Sequence, residues 1–343
     1  MNSSKDVIVR SKAPLRISFG GGGTDVSPYP EECGGITLSA TIDKYIYTTL
    51  VVRDDECISA KSLDYDTSVK YNTNGEFKYD GNLDLVKAAT KVMGVTRGCD
   101  LFLHSDAPPG TGLGSSSTLV VSMISSLSQL HNTRLSTHET AELAYHIERE
   151  ELSIKGGRQD QYAAAFGGFN FMEFNNGTTI VNPLHINEGI LNELEYRLML
   201  CYTGKRRLSA GIIDDQVESY KAGKEEVLRA LHETKTLAVD MRQALLRGQL
   251  NKFGELLHSA WCSKKQFSDK MSDSHIDTLY DTARRYGAIG GKLLGAGGGG
   301  YLLLLCEFDK KHIVADRLAQ LGGQIVGFSF DIRGVQTWEV NGN

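Results

Sequence analysis

No two of the six cysteines stand in a CxxC pair. Cys33, Cys57, Cys99, Cys201, Cys262 and Cys306 are scattered, which supports neither a zinc site nor a disulfide framework, so they read as reduced core thiols. Long apolar runs are missing too. The longest, Leu302 to Cys306, is far short of a bilayer span, and the start Met1-Asn2-Ser3-Ser4-Lys5-Asp6 has no apolar signal region; the expectation is a cytoplasmic chain with no membrane partner. Basic charge is not in excess. With a net charge of −5 and no block of five like charges, nucleic acid is excluded as the main partner, and any polyanion must be met by a local site. The nine histidines form no HExxH pair and no GxSxG elbow is present, which removes two hydrolase classes. There is no internal repeat.

The rest is ordinary for a soluble protein: 343 residues, 41% hydrophobic and 23% charged, enough for two domains with their own cores. Glycine carries the signal. Pro109-Gly110-Thr111-Gly112-Leu113-Gly114-Ser115-Ser116-Ser117 is a turn that runs into a helix starting near Ser115. Leu119, Val120, Met123, Ile124, Leu127 and Leu130 recur at helical spacing after it, and Asp100–His104 before it reads as a buried strand. Glycines let a ligand approach the backbone, and a helix N-terminus offers unpaired N–H groups and partial positive charge, so the unit is an anion site suited to phosphate.

Upstream, Ala13–Phe19 reads as a strand with Arg16 and Ser18 on one face, leading to Gly20-Gly21-Gly22-Gly23-Thr24-Asp25, a flexible turn presenting one carboxylate. Pro28 and Pro30 argue against a helix directly after it. Strands are expected over Gly35–Val52, Cys57–Ala60 and Thr67–Tyr71, and a helix over Leu83–Met93. Ser136 and Glu139 form a capping-box pattern for a helix to about Arg149, with Glu148 near its end. A turn at Gly156–Gln161 precedes a short helix from Tyr162 to Phe166; Asp160 stands at its start, where an acid also serves simply as a cap. The pattern lapses around Asn182–Asn192, which divides the chain into units 1–185 and 190–343. In the second, a strand over Tyr196–Tyr202, helical stripes ending at Leu245, Trp261 and Tyr286, strands at Lys292–Leu294 and Tyr301–Glu307, a helix near Lys311–Leu321 and a final strand near Gln324–Phe330 give helices on a small antiparallel sheet. The fold class is α+β.

Three glycine-rich loops invite nucleotide readings. Gly295-x-Gly297-x-x-Gly300 fits the dinucleotide fingerprint as a string, but a strand follows it where a helix is required. Gly290-Gly291-Lys292 is followed by Leu293, so it is no Walker A loop. Taken together, Pro14-x-Arg16 with Gly20–Asp25, then Pro109–Ser116, then Leu294–Gly300 resemble the three motifs of the GHMP kinases, in order and across nearly the whole chain.

That resemblance implies ATP as phosphoryl donor, Mg2+ as cofactor and a two-domain kinase fold with the site between the halves. It implies that Pro109 to Ser117 bind ATP, that Ser116 and Glu148 hold the metal, and that Asp160 takes the proton of the accepting hydroxyl beside Arg16. Gly22, Gly23, Thr24, Asp25, Gly297 and Gly298 would face the sugar. Gly22-Gly23 stands where galactokinases have Glu-His, which disfavours galactose. Pro14–Asp25 and Ile154–Phe169 look most like kinases of D-glycero-D-manno-heptose 7-phosphate, implying transfer to the anomeric C1 hydroxyl on the route to GDP-heptose. A sugar phosphate partner needs a distal cation: Lys205-Arg206-Arg207 is the dense basic cluster, equally readable as a surface loop, with Lys155 and Arg158 as rivals. A C1 kinase of a free sugar such as L-fucose, or a silent sugar sensor on this scaffold, are the competing readings, and monomer and homodimer both stay open.

Overall fold

A computed structural model describes residues 7–64, 66–75, 78–205 and 210–341. In chain order the elements are β1 (Val7–Gly20), α1 (Tyr29–Cys33), β2 (Gly35–Val52), β3 (Cys57–Ser62), β4 (Thr67–Asn72), α2 (Asp84–Val92), β5 (Cys99–Ser105), α3 (Ser115–Leu130), α4 (Thr137–His146), α5 (Gln159–Phe166), β6 (Phe169–Asn175) and β7 (Thr178–Pro183). They continue as α6 (Glu188–Arg197), β8 (Leu198–Tyr202), α7 (Ala210–Lys221), α8 (Glu225–Leu246), α9 (Leu250–Lys264), α10 (Ser274–Tyr286), β9 (Ala288–Leu293), β10 (Tyr301–Cys306), α11 (Lys311–Gln320), β11 (Gln324–Val326) and β12 (Gln336–Asn341).

The α+β expectation holds. An eight-stranded sheet runs β12-β1-β2-β5-β3-β4, with β6 and β7 branching from β2, and a four-stranded antiparallel sheet runs β11-β8-β10-β9. The branch arises because β2, rich in Ile, Thr, Tyr and Val, is long enough to pair β6 through Gly35–Ala40 and β5 through Ile46–Val52. One core lies between this sheet and α2–α5. A second joins the halves, with Leu15, Ile17 and Phe19 of β1 packed among Met241, Phe253, Leu257 and Leu303. A third fills the other face of the small sheet around Trp261 and Leu304.

Several expectations are corrected. The prolines do not prevent a helix after the first glycine turn: α1 places a proline in its opening turn, where no backbone N–H is needed. Tyr196 and Arg197 close α6, capped by Asn187, and the strand begins only at Leu198. The expected last strand is shorter, and the chain then returns to pair β12 with β1, so the end of the 190–343 unit belongs to the first sheet. Cys262 is exposed rather than a core thiol. The helix opened by Ser136 does have a capping box, but beyond His146 it widens into a π turn, in which Leu152 N–H donates to Ile147 O at 3.2 Å.

Candidate active site

β1 is apolar on one face and polar on the other, so the strand that buries Leu15 and Ile17 turns Arg16 and Ser18 into a cavity between the halves. Arg16 is 3% exposed and ties three segments together. Its Nε and Nη2 each donate to Asp160 Oδ1 at 2.7 Å, its Nη1 donates to Gly112 O at 2.6 Å, and its backbone N–H donates to Leu113 O at 3.1 Å. Asp160 sits in the first turn of α5, which begins three residues earlier than its apolar pattern suggests. It is no mere cap: the fork from Arg16 holds Oδ1 and leaves Oδ2 without a partner among the described residues.

In the phosphate loop, Gly110, Gly112, Gly114, Ser115, Ser116 and Ser117 line the cavity, whereas Pro109, Thr111 and Leu113 do not. Thr111 and Leu113 are buried, and their carbonyls accept bonds from Tyr301 and Arg16 that fasten the loop from behind. Gly114 precedes α3 in the left-handed region, φ 79°, and no side chain caps the helix. Ser115 Oγ is buried beside these open N–H groups without a partner among the described residues. This cradle fits phosphate oxygens. Gly112 is required by close approach: a Cβ there would stand 2.4 Å from Leu294 O, because the third glycine loop is pressed against the phosphate loop.

The π turn carries Glu148 inward. At 1% exposure its Oε1 accepts from Ser116 Oγ at 2.7 Å and its Oε2 from Gln161 Nε2 at 2.5 Å, while Arg149 Nη1, 3.8 Å away, is the one cation within 4 Å among the described residues. A buried carboxylate held mainly by neutral donors favours an added cation. Among the described residues no three His, Cys, Asp or Glu side chains cluster as a metal cage. Two protein oxygens beside a phosphate cradle suit Mg2+, which takes few protein ligands and keeps oxygen partners from phosphate and water.

The first glycine turn divides in two. Gly22, Gly23 and Asp25 line the cavity, but Thr24 is fully buried, its Oγ1 donating to Gly21 O at 2.8 Å and Ile36 O at 2.9 Å, so it shapes the turn instead of facing a ligand. Asp25 Oδ2 accepts from Gln159 N at 3.1 Å and from its Nε2 at 3.2 Å, linking the turn to α5. Gly297 lines the cavity; Gly298 does not, and its N–H donates to Met271 O at 2.9 Å.

The basic candidates separate cleanly. Lys205 lies off the cavity because its ammonium is paired with Asp273 Oδ2 at 2.6 Å, and Arg206 lies outside the described residues. Arg158 is also off it, donating to Glu31 Oε1 at 3.2 Å and stacked on Tyr145. Lys155 lines the cavity and is exposed.

Two lysines escaped the sequence reading. Lys264 ends α9 inside the cavity wall, 5% exposed, with its Nζ donating to Gly295 O. Burial first, then Arg16, pushes its pKa down to about 8 against the pull of Asp25 and Asp160. Lys292 in β9 is 2% exposed, its Nζ donating to Ser18 O at 3.0 Å, and burial with Lys264 and Arg16 nearby holds it well below the usual lysine range. A lysine at a helix C-terminus reads as a surface charge that complements the dipole, so no local signal marks Lys264 as buried. Gln216, from α7, was missed as well; it lines the cavity and donates to Gly23 O at 2.9 Å.

Against known proteins, the N-terminal domain model of the GHMP kinases matches residues 83–168 and the C-terminal domain model matches residues 241–324. The chain is 40% identical over 338 residues to a D-glycero-alpha-D-manno-heptose 7-phosphate kinase of Campylobacter jejuni, covering 97% of this chain and 99% of that protein. A crystal structure of a D-glycero-D-manno-heptose 1-phosphate kinase from Bacteroides thetaiotaomicron superposes with a TM-score of 0.82 at 34% identity, covering 97% of this chain and 99% of that one. The L-fucokinase/L-fucose-1-P guanylyltransferase of Bacteroides fragilis is 27% identical over 333 residues, which span 88% of this chain and 35% of that longer protein. With a phosphate cradle, an arginine-held aspartate and a hydroxyl–carboxylate pair meeting in one cavity, the chain belongs to the GHMP kinases.

Proposed function

We propose that this sugar kinase, with Mg2+, transfers the γ-phosphoryl group of ATP to the anomeric C1 hydroxyl of D-glycero-D-manno-heptose 7-phosphate. The observation that carries the reading is the divided state of Asp160: one oxygen locked by Arg16, the other unpartnered at the edge of the phosphate cradle. Such a carboxylate is built to accept a proton from a hydroxyl placed between it and the phosphate loop. The hydroxyl oxygen forms the new bond to phosphorus, the bond from phosphorus to the departing ADP oxygen breaks, and the proton passes to Asp160 Oδ2. Gly110 to Ser117 would hold the phosphates, Ser116 and Glu148 the Mg2+, whose charge offsets the negative charge shared by donor and acceptor. Asp25 and the Gly22-Gly23 backbone would face the sugar, with Lys155 at the rim toward its distal phosphate. Overall similarity to the Campylobacter jejuni enzyme supports the choice of sugar.

The test is ATP consumption in a coupled assay with heptose 7-phosphate, L-fucose and D-galactose in parallel, with phosphorus NMR of the product. The reading expects turnover with heptose 7-phosphate and a new anomeric phosphate signal. Preferential turnover of L-fucose would replace the substrate, and no turnover with any sugar would make the chain a sensor.

A further inference from the structure

Lys264 is a buried cation without a counter-ion. Among the described residues no carboxylate lies within 4 Å of its Nζ, and its one hydrogen bond goes to the Gly295 carbonyl, which leaves two ammonium donors unused. Of the two carboxylates nearest in effect, Asp25 is bonded to Gln159 and Gly23, and Asp160 gives one oxygen to Arg16; neither pairs directly with the ammonium. An unpaired buried charge is costly to the fold and persists where a ligand of opposite charge completes it. Its place says which ligand. Gly295 is pressed against Gly112, so that a Cβ on Gly295 would stand 2.5 Å from Gly112 Cα, and Gly112 O is the acceptor of Arg16 Nη1. The ammonium is therefore anchored where the third glycine loop meets the phosphate loop, on the side of Arg16 and Asp160.

We propose that Lys264 is a second cation which, together with Arg16, receives the oxygens of the phosphoryl group being transferred. The assignment rests on the ATP-dependent part of the function proposed above but not on which sugar accepts. Lys264 keeps its protons throughout the transfer; its role is to stabilise negative charge, and a fixed charge withdrawn from water into the cavity wall acts strongly on what binds beside it. The phosphate of a sugar phosphate offers the same oxygens, so the two sources must be separated by experiment. The charged groups facing Lys264 are Arg16 from β1, Lys292 from β9, Asp25 from the first glycine turn and Asp160 from α5.

The experiment is titration calorimetry of the whole protein at pH 8.5, with Mg2+, in buffers of different ionisation enthalpy. The probes are a non-hydrolysable ATP analogue and ADP, each added to wild type, Lys264→Met and Lys264→Arg. From an apo value of about 8, Lys264 is mostly neutral at this pH, and pairing with the terminal phosphoryl group raises its affinity for a proton. The wild type is expected to take up about half a proton or more per analogue bound beyond Lys264→Met, and no excess with ADP, which lacks that group. Lys264→Arg, which keeps the charge but does not titrate, is also expected to lose the excess and keeps the test valid if the methionine variant folds poorly. Analogue binding with equal proton uptake in all three proteins, or the same excess with ADP, overturns the assignment while leaving ATP as donor. Failure of wild type to bind the analogue overturns both. In kinetics, Lys264→Met is expected to lower kcat about a hundredfold with little change in KM for the sugar phosphate. A raised KM for the sugar phosphate with kcat intact would put Lys264 on the acceptor's own phosphate and overturn the proposal.

Discussion

The inner and outer ends of the cavity hold their charges in opposite ways. Inside, Arg16, Glu148 and Lys264 are each 5% exposed or less and lie in fixed hydrogen bonds. At the rim, Lys155 is exposed, and just off the cavity Lys205 is half exposed and paired with Asp273. Charge density along the chain pointed to the second of these regions, since Lys205-Arg206-Arg207 is the densest basic cluster. Burial points to the first. A cation in water is screened and weakly coupled to its neighbours, whereas one withdrawn from water acts strongly on whatever enters. The inner end is therefore expected to govern rate, and the rim to govern choice of substrate.

Substitutions can break that division, and the largest effect is expected at Asp160. Asp160→Asn keeps the shape but removes the proton acceptor, so turnover should fall about a hundredfold to ten-thousandfold with ATP affinity largely kept. Near-normal turnover in the purified variant would move the base elsewhere.

Next comes Lys264, through stability. A lysine whose pKa is lowered from its ordinary value to about 8 on folding opposes folding while it must be charged, below about pH 8. That opposition fades as pH rises from 8 toward the unfolded value. Lys264→Met should accordingly stabilise the protein most at pH 7, by about 3 kcal/mol, on the order of the shift itself, and much less at pH 10. Urea unfolding at the two pH values tests this; an equal difference at both would mean that Lys264 carries no buried charge.

Glu148→Gln exchanges the buried carboxylate for a neutral amide. The Mg2+ concentration for half-maximal rate should rise by at least the roughly tenfold that loss of a supporting contact alone produces. An unchanged magnesium titration would place the ion on other residues.

At the rim the effects should be smallest. Lys155→Ala should raise KM for heptose 7-phosphate by about twofold to fivefold, the modest return of an exposed charge, and leave an unphosphorylated sugar indifferent. Lys205→Ala should change neither constant, because its charge already faces Asp273. A Lys205 effect larger than that of Lys155 would reverse the assignment of the rim.

How much was legible follows from the range of the interactions involved. The strand, glycine turn and helix around Ser115 are written in local pattern, and so are β2, the paired helices α8 and α9, and the capping box at Ser136. Residues within one turn or strand set these elements, and the structure returns them with shifts of a few residues. Elements decided by partners far away in the chain were less visible. β12 needs β1, more than three hundred residues earlier, to become a strand, and the π turn at Glu148 has no signature in the residues around it.

The sequence by itself determined the three glycine loops and the α+β class, because backbone chemistry at glycine and hydrophobic periodicity are local properties; Arg16, Ser116, Glu148 and Asp160 became residues to watch only through the resemblance of those loops to the GHMP kinases. Only the tertiary structure decided that Arg16 grips one oxygen of Asp160 and leaves the other free, that Thr24 is scaffold while Asp25 reaches the cavity, and that Lys264 is withdrawn from water while Lys205 is not. The reason is that burial and pairing belong to the space between elements. A lysine in a helix carries the same charge in the sequence whether it ends in solvent or in the wall of an active site, and only packing chooses between them.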